Sequence, residues 1–443
     1  MPRPPYGGRA VFPAFCPSQT IKSVRLINSD PNTAPFERHF SFTSRQARRM
    51  VWQKDPFAYQ SGATYCLEEY CMPILPRTVT SPKKFIIGHD LLPQLHDHVK
   101  DFGDNALLVS DEFILERVRE EALVGLLQAG LKGAVEKFNY ECTDIEIRRL
   151  CDLAEQQGAN VIVGIGGGKT LDVAKAVAFY LRRPVVLFPT IASTDAPCTA
   201  LAVIYNPAGE FERYLFLPQN PDVVIADTAI IAAAPARFFA AGVGDALATY
   251  FEARACYRAD GINLVGKRPS RTGLGLARLC YELLGENIEL AMDAVRHHVT
   301  TPALEQTIEA TIYLSGVGAE AGGLAAAHAV NNGMSVVPDL HRAQHGEKVV
   351  FGLLTQLVLE RAPQAELDEV MRIIRLAGLP MTLQEMGLNQ FVESEWRQVA
   401  KLACDPLDTM GNMPMSVSEQ DVYHAMIAAN AMAERYRARH PRT

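Results

Sequence analysis

Two histidines and one aspartate are the residues of this sequence best suited to hold a metal ion. His328 lies in a helix-like run of small residues, His345 follows seventeen residues later, and Asp245 stands near the start of an apolar helical stretch. Two imidazoles and one carboxylate form a three-ligand set that leaves a position open for water or substrate. A histidine in an apolar helix can equally be a hydrogen-bonded core residue, and Asp245 can be a helix cap. The spacing alone leaves both interpretations open.

Three consecutive glycines, Gly166, Gly167 and Gly168, stand where a buried strand gives way to a helix. Glycines let a phosphate approach the backbone, and a helix N-terminus offers free N–H groups. Neither standard phosphate motif is complete. A Walker A loop requires glycine where Val163 stands, and the dinucleotide fingerprint requires glycine where Lys169 stands. What remains is a glycine-rich turn that could bind a phosphate or simply reverse the chain.

Asp111 ends another apolar run, at residues 106–110. An acid at the end of a strand in such a sheet can accept both ribose hydroxyls of an adenosine, and it would repel a 2′-phosphate, which favours NAD over NADP. The same residue could instead be a turn or cap residue. Asp172 and Lys175 are three residues apart on the helix after the glycine turn, where they can form an ion pair.

Apolar runs and helical stretches alternate from about residue 83, which predicts an α/β domain with a mostly parallel sheet over residues 75–235. We expect strands at 106–110, 161–165, 184–189, 201–205 and 223–226, and helices at 112–130 and 171–181. After about residue 230 the sequence becomes rich in alanine at helical spacing, which predicts an all-helical domain over residues 236–443. Its expected helical stretches are 231–256, 272–285, 302–316, 319–332 and 346–361.

The first 74 residues differ from the rest. Lysine and arginine outnumber acids there by nine to five, whereas the whole chain has a net charge of −7. We expect a poorly ordered extension, since no helix or strand period is sustained. It could be a transit-like targeting peptide, a partner-binding tail, or an extension upstream of a functional start at Met72.

The composition excludes several classes of protein. A hydrophobic share of 48% and a charged share of 21% are those of a packed globular protein. The acidic balance argues against a nucleic-acid partner, and no apolar run reaches the length of a membrane span. Nine cysteines without a CxxC pair fit a reducing compartment.

Five long stretches together resemble the glycerol-oxidising branch of the iron-containing alcohol dehydrogenase superfamily. They follow in the same order across roughly residues 80–435, at 164–172, 189–198, 241–253, 313–329 and 345–352. The resemblance implies a dehydroquinate synthase-like fold, with a nucleotide-binding α/β domain followed by a helical domain and a site in the cleft between them. It implies NAD-dependent, metal-assisted oxidation of glycerol to dihydroxyacetone.

The resemblance also implies roles for individual residues. The metal ligands are Asp245, His328 and His345, with zinc as the usual metal of this branch and iron in relatives. Asp195, the implied catalytic residue, would place its carboxylate near the substrate hydroxyls and orient one of them. The implied NAD-binding residues are Asp111 at the ribose, Gly166, Gly167, Gly168 and Lys169 at the pyrophosphate, and Thr190, Ser193, Thr199, Leu201 and Tyr205 on the nicotinamide side.

Two departures from the family pattern, Asn331 and Gly411, stand where the family has histidine. Because of these two departures, the protein could instead be an inactive scaffold that binds a nucleotide. A second alternative is a phosphate-ester polyol dehydrogenase or a lyase on the same fold, for which Lys267, Arg268 and Arg271 could supply a phosphate site. The resemblance further implies a homo-oligomer, commonly an octamer. We expect a cytoplasmic location, or a mitochondrial one if the extension is a transit peptide.

Overall fold

The computed structural model describes residues 22–27, 37–42 and 75–441 of the chain. The chain divides into two compact units, Met1–Pro76 and Arg77–Thr443. In the first unit, strands β1 (Lys22–Ile27) and β2 (Glu37–Phe42) pair in antiparallel fashion, where no strand was expected. The rest of the predicted extension lies outside the described residues.

A six-stranded parallel sheet forms the framework of the α/β part. Its strands are β3 (Lys84–Gly88), β4 (Asn105–Ser110), β5 (Lys132–Lys137), β6 (Val161–Gly166), β7 (Val185–Pro189) and β10 (Val223–Asp227). They lie in the order β3-β10-β7-β6-β4-β5, and all neighbouring pairs are parallel. Strands β6, β7 and β10 are buried along their whole length, as apolar runs are in a sheet covered on both faces. The predicted fold class of this part is confirmed.

Strands β8 (Leu201–Tyr205) and β9 (Phe211–Phe216) form a separate antiparallel hairpin beside this sheet. Asn206 begins the turn between them. The Asn206 side-chain oxygen accepts hydrogen bonds from the N–H groups of Ala208 at 2.9 Å and Glu210 at 3.0 Å. The sequence predicted the strand over 201–205 but not its partner, because an apolar run does not specify which strand it will pair with.

The helices of the α/β part connect the strands of the sheet. They are α1 (His96–Val99), α2 (Leu115–Arg117), α3 (Val124–Gln128), α4 (Asp144–Gln156) and α5 (Gly168–Leu181). A wider helical turn, Val118–Leu123, joins α2 and α3, so the helix predicted over 112–130 is nearly continuous. Helix α5 begins at Gly168, three residues earlier than predicted, so the glycine turn itself forms the helix N-terminus.

Helices make up the remainder of the second unit. They are α6 (Thr228–Ala233), α7 (Ala236–Ala259), α8 (Arg271–Arg296), α9 (Pro302–Ile308), α10 (Ser315–Gly322), α11 (Ala326–Gly333), α12 (His345–Glu360), α13 (Gln364–Leu376), α14 (Glu393–Ala403) and α15 (Glu419–Arg439). None of the helices in the described ranges is both long enough and apolar enough to cross a membrane.

Two predicted helices are each divided in the structure. The stretch 231–256 breaks at Pro235, whose ring is incompatible with an uninterrupted helix, so α7 begins at Ala236. The stretch 319–332 breaks at Gly323, which has a φ of +90°. Helices thus follow the α/β part at the expected position, while the domain limits 75–235 and 236–443 remain predictions.

Candidate active site

Three helices bring Asp245, His328 and His345 together. Asp245 lies within α7 with 2% of its side chain exposed, His328 is the third residue of α11, and His345 is the first residue of α12. Gly346 allows α12 to approach α7 closely, because a Cβ at this position would lie 1.8 Å from the carbonyl oxygen of Ala241. Residues up to 100 positions apart therefore share one site.

The start of α12 is held by its own capping interactions. Gln344 and Glu347 form a reciprocal capping box, in which each side chain receives a backbone N–H of the other residue. Glu347 also forms an ion pair with Arg237 of α7, with 2.8 Å between Nε and Oε1. These contacts fix the position of His345 relative to α7.

The spacing of the three side chains fits a metal ion. The Nε2 atoms of His345 and His328 lie 3.2 and 3.4 Å from Oδ1 of Asp245, and one ligand atom from each residue lies within 4.8 Å of the others. Tetrahedral coordination with zinc–nitrogen and zinc–oxygen bonds of ordinary length separates ligand atoms by about 3.3 Å. Oδ1 of Asp245 is buried and accepts no hydrogen bond in the structure. A cation would satisfy this oxygen and both imidazoles.

Buried negative charge dominates the electrostatics of this group. Burial alone would lower the pKa of His328, but the carboxylates of Glu252 and Asp245 raise that pKa well above its usual value. Burial would likewise raise the pKa of Asp245, but His345 and His328 hold it well below its usual range. The site is therefore arranged to accept positive charge, as a metal centre requires.

Asp195 lies against the three candidate ligands. Its backbone N–H donates to Oδ2 of Asp245 at 3.3 Å, and its Oδ2 accepts from the hydroxyl of Ser315 at 3.0 Å. The hydroxyl of Ser315 lies 2.8 Å from that of Thr249, and both residues are buried. Burial, reinforced by the charge of Asp245, raises the pKa of Asp195 to about 7. Its carboxyl group is thus held by the hydroxyl of Ser315 beside the candidate metal ligands.

A glycine on α7 makes this arrangement sterically feasible. A Cβ at Gly242 would lie 1.9 Å from the carbonyl oxygen of Ala192, so only glycine allows the segment before Asp195 to rest on α7. The α/β part and the helical part are consequently in contact at the site itself.

The glycine turn lies where the strand order of the parallel sheet reverses. Strand β4 has β5 on one side and β6 on the other, so the carboxyl ends of β4 and β6 are adjacent. Asp111 follows β4, while Gly166 ends β6 and is followed by Gly167 and Gly168. The crevice at such a reversal is the usual ligand position in an open parallel sheet.

Asp111 and the glycine turn contact each other directly. Oδ2 of Asp111 accepts from the N–H of Gly167 at 3.1 Å, while its Oδ1 is buried without a hydrogen-bond partner. Burial raises the pKa of this carboxyl. A Cβ at position 166 would lie 2.5 Å from Oδ2, whereas the nearest atom to a Cβ at position 168 would be 3.8 Å away, on Thr194. An unsatisfied acceptor beside an open helix N-terminus fits the ribose and pyrophosphate of a dinucleotide.

Lys169 contacts Glu141 and Tyr205, which are distant from each other in the sequence. Its ammonium group forms an ion pair with Glu141 and lies 4.7 Å from the centre of the Tyr205 ring. Lys169 and Tyr205, both predicted to bind the cofactor, are thus brought together. Glu141 is the unexpected third member of this group.

The residues expected on the nicotinamide side differ in exposure. Thr190 follows β7, and its N–H donates to the carbonyl of Gly166 at 3.1 Å, which places it beside the glycine turn. Ser193 is partly exposed in the segment that leads to Asp195. Thr199 is buried, with its hydroxyl donating to the carbonyl of Ala196 at 3.1 Å. Leu201 and Tyr205 occupy the two ends of β8.

Asp172 and Lys175 do more than pair on their own helix. Their side chains are buried at 2.8 Å from each other. The ammonium group of Lys175 also donates to the carbonyls of Ala196, at 3.0 Å, and Leu201. Oδ2 of Asp172 accepts from the N–H of Val203 at 3.0 Å. The pair thereby anchors the segment after Asp195 to α5.

Glu252, which was not predicted from the sequence, accepts a hydrogen bond from the ring of His328. Glu252 follows Asp245 by seven residues on α7. Two helical turns separate residues spaced in this way, so both face the same side. That spacing is the signal that could have identified Glu252 as part of the site.

Arg268, one of the basic residues considered for a phosphate site, lies far from the three candidate metal ligands. Arg268 forms a bidentate ion pair with Asp260, at 2.8 and 2.6 Å. Asp260 caps the C-terminal end of α7, about 22 Å along the helix axis from Asp245. A substrate held at the metal ligands would not have its phosphate at Arg268. The phosphate-ester alternative is therefore not favoured.

The two departures from the family pattern occupy structural positions near the site. Asn331 is buried one turn after His328, with its side-chain oxygen unpartnered and its amide donating to Asn332 at 3.1 Å. Gly411 lies in the short helical turn Thr409–Asn412. The side-chain amide of Asn412 donates to the carbonyls of Ile262 and Leu324, so this turn is tied to the end of α10.

Comparison with known proteins identifies the family. The sequence model described as iron-containing alcohol dehydrogenase matches residues 82–228. A glycerol dehydrogenase from Pseudomonas putida is 50% identical over 362 residues, which represent 82% of this chain and 99% of that protein. The chain belongs to the iron-containing alcohol dehydrogenase family. It is thus an oxidoreductase of the alcohol dehydrogenase kind.

Other members of the family support the same assignment. A glycerol dehydrogenase from Escherichia coli O6:H1 is 48% identical over 362 residues, covering 82% of this chain and 99% of that protein. The crystal structure of glycerol dehydrogenase from Schizosaccharomyces pombe is 32% identical, with a TM-score of 0.79, and covers 83% of this chain and 94% of that chain. The predicted fold, an α/β part followed by a helical part, is confirmed by this agreement.

Proposed function

We propose that this chain catalyses the NAD-dependent oxidation of glycerol to dihydroxyacetone. The observation that carries the proposal is the group of Asp245, His328 and His345, whose candidate ligand atoms lie close together beside Asp195 and include the unpartnered Oδ1 of Asp245. The reaction transfers the hydrogen at C2 of glycerol to NAD as hydride and releases the hydroxyl proton. The relatives named glycerol dehydrogenase, at 48 to 50% identity, support this choice of substrate.

The three ligands would hold a divalent metal ion. A metal ion bound there would supply Lewis-acid chemistry that lowers the pKa of an alcohol hydroxyl. Zinc is the proposed ion and iron the alternative, because two imidazoles and one carboxylate suit both. The donor set and its spacing support the metal site, and metal analysis of the purified protein distinguishes the two ions.

Asp195 would orient the substrate by accepting a hydrogen bond from a neighbouring hydroxyl. Its carboxyl group is suited to this role because Ser315 and Thr249 hold it from the protein side.

The crevice between the carboxyl ends of β4 and β6, where the strand order reverses, would hold NAD. Asp111 would accept from the ribose hydroxyls, and Gly166, Gly167, Gly168 and Lys169 would contact the pyrophosphate. The nicotinamide side would be lined by Thr190, Ser193, Thr199, Leu201 and Tyr205. The unpartnered Oδ1 of Asp111 supports the placement of the ribose at this residue. The hydride transfer itself is chemistry that the cofactor supplies.

We also propose a homo-oligomer, with an octamer as the expected form, and a cytoplasmic location. A mitochondrial location is the alternative if residues 1–74 act as a transit peptide. Sedimentation of the full chain and microscopy of a C-terminally tagged chain test these two points.

An NADH absorbance assay tests the reaction. Glycerol, 1,2-propanediol and glycerol phosphate are each supplied with NAD to the metal-loaded protein. We expect NADH formation with glycerol and none with glycerol phosphate. Reduction with the phosphate ester alone would support the alternative dehydrogenase. No reduction by any substrate, in protein shown to bind metal and NAD, would support a scaffold.

Replacing His345 with alanine tests the metal site. The variant H345A removes one of three ligands, so we expect loss of bound metal and of glycerol oxidation, with NAD binding retained. The matched control is H341A, which removes an exposed histidine four residues earlier in the sequence. Full activity of H345A without metal would contradict the assignment.

A further inference from the structure

Glu252 places a carboxylate in the interior of the helical part, directly behind one candidate metal ligand. The residue lies on α7 with 0% of its surface exposed. Burying a carboxylate is costly unless its oxygens receive hydrogen bonds. The groups that donate to Glu252 therefore indicate why an acid occupies this position.

One oxygen of Glu252 caps the start of α11. Oε1 accepts from the backbone N–H groups of Ala325 at 2.8 Å and His328 at 2.9 Å. Ala325 occupies the position before the helix and has no side chain that can cap it. Glu252 thus supplies from α7 the acceptor that a helix N-terminus otherwise lacks.

The other oxygen of Glu252 holds the ring of His328. Oε2 lies 2.5 Å from Nδ1 of His328. A carboxylate can only accept, so Nδ1 must carry the hydrogen. In the neutral ring, Nε2 then has its lone pair free. Nε2 is the atom that lies 3.4 Å from Oδ1 of Asp245.

We propose that Glu252 is a positioning residue that sets both the orientation and the tautomer of His328, so that Nε2 can bind the metal ion. This inference rests on the metal site of the proposed function. Hydrogen bonds from a ligating histidine to a carboxylate are known to strengthen metal binding. Glu252 acts through His328 and does not itself contact the other two ligands.

The variant E252Q separates this role from helix capping. A glutamine can keep its oxygen towards the N–H groups of Ala325 and His328, which preserves the cap. Its NH₂ group then faces Nδ1 of His328, so Nδ1 has to accept and the hydrogen moves to Nε2. If the amide is turned the other way, its oxygen still accepts from Nδ1 of His328. Its NH₂ group then faces the N–H groups of Ala325 and His328, which are also donors, and the cap is lost. Either arrangement weakens one of the two functions.

The measurement is the dissociation constant for Zn²⁺ alone and for Co²⁺ alone, by competition with a chelating indicator. We expect E252Q to weaken binding about 10–100-fold, with an altered visible spectrum of bound Co²⁺ and an unchanged dissociation constant for NAD. The matched control is E146Q, which makes the same change at a buried glutamate of α4 that also accepts a backbone N–H, from Asn139. We expect E146Q to bind both ions as the unmodified chain does.

Wild-type metal affinity in folded E252Q, with unchanged thermal stability, would overturn the proposal and leave Glu252 as a cap only. If the affinity is unchanged but the thermal stability falls, the amide oxygen has kept the ring contact at the expense of the cap, and E252D then decides. If E252Q does not fold, E252D is measured instead. Its shorter side chain keeps the charge but not the reach, so unchanged affinity in E252D would also overturn the proposal. Failure of the unmodified chain to bind either ion would refute the proposed metal site itself, before any variant is compared.

Discussion

Single atoms without partners mark both ends of the candidate active site. Oδ1 of Asp245 faces two imidazoles, and Oδ1 of Asp111 lies at the end of β4 beside the glycine turn. Buried polar atoms are normally hydrogen-bonded, so a buried acceptor without a partner in a cleft is suited to accept from a ligand or to bind a cation. Asp245 faces two imidazoles, which suits a metal ion. Asp111 lies beside a helix N-terminus, which suits the ribose and pyrophosphate of a dinucleotide.

Replacing Asp111 tests the ribose contact. The variant D111N keeps an acceptor for the N–H of Gly167 but loses the charge that two ribose hydroxyls would share. Hydrogen bonds to a charged group contribute about 1.5–3 kcal/mol, so we expect the dissociation constant for NAD to rise by at least about tenfold. Titration calorimetry with NAD and NADP measures this change, and discrimination against NADP should also fall.

The control for this prediction lies at the other end of the same strand. Asp104 precedes β4 and accepts from the side-chain amide of Asn160 at 2.8 Å. D104N should leave NAD affinity unchanged. Equal losses of affinity in D104N and D111N would show that the strand, rather than the ribose contact, is responsible.

Elements reach the site because particular residues permit close packing or hold neighbouring segments. Helix α5 does so through charge, since Asp172 and Lys175 hold the chain that follows Asp195. Helix α12 does so through the absence of a side chain, since Gly346 rests on Ala241 of α7. The ion pair and the close packing at Gly346 support the site without contacting the substrate, and each can be removed by one substitution.

The variant K175M tests the anchoring of the segment after Asp195. It leaves the carboxylate of Asp172 buried without its cation, a change that typically costs about 3–5 kcal/mol of folding stability. We expect a lower unfolding midpoint and a reduced kcat, because the carbonyls of Ala196 and Leu201 lose their donor. Denaturation and steady-state assays measure the two effects.

The control for K175M is an exposed pair with the same spacing. Lys100 forms an ion pair with Asp97 at 2.5 Å on the surface. Exposed pairs of this kind contribute little to stability, so K100M should match the unmodified chain in both measurements. A K175M protein as stable and active as K100M would refute the anchoring role.

The variant G346A tests the contact between α12 and α7. Its Cβ would overlap the backbone of Ala241, and overpacking of this kind costs about 1–3 kcal/mol. We expect lower stability and weaker metal binding, because His345 is the adjacent residue. In contrast, G275A adds a methyl group where no atom lies within 4 Å, on an exposed position of α8, and should be neutral or stabilising. Denaturant unfolding and metal competition compare the two variants, and equal metal affinity would contradict the prediction.

At the scale of the whole molecule, the candidate active site lies within one of the two compact units. All the candidate site residues belong to Arg77–Thr443, and the family match begins at residue 82. The Pseudomonas putida relative is covered over 99% of its length by 82% of this chain. The oxidation of glycerol should therefore depend on this unit.

Removing residues 1–71 tests that expectation. A chain that starts at Met72 should oxidise glycerol with unchanged kcat and KM, because every proposed ligand and cofactor contact is retained. Sedimentation of the same protein measures whether assembly also persists. Loss of activity in a correctly folded chain would show that the first segment contributes to the reaction.

The sequence by itself determined the class of fold and the chemical types at the site. Apolar runs alternating with helical stretches predicted the parallel sheet, because periodicity reflects which faces are buried. The candidate metal ligands were recognisable as residue types, and resemblance supplied their roles. Apolar periodicity and residue type are local properties of the sequence. Both can be identified without knowing which segments contact each other in the folded chain.

Only the tertiary structure decided which distant residues act together. Strand β8 pairs with β9 rather than with the sheet, and Glu252 reaches the ring of His328 from another helix. Asp172 and Lys175, predicted as a local pair, also bind the backbone of the following segment. Such contacts depend on helix packing and on the absence of side chains at positions such as Gly346. Packing between segments distant in the sequence leaves no period in the sequence, so these partners became identifiable only once the chain was folded.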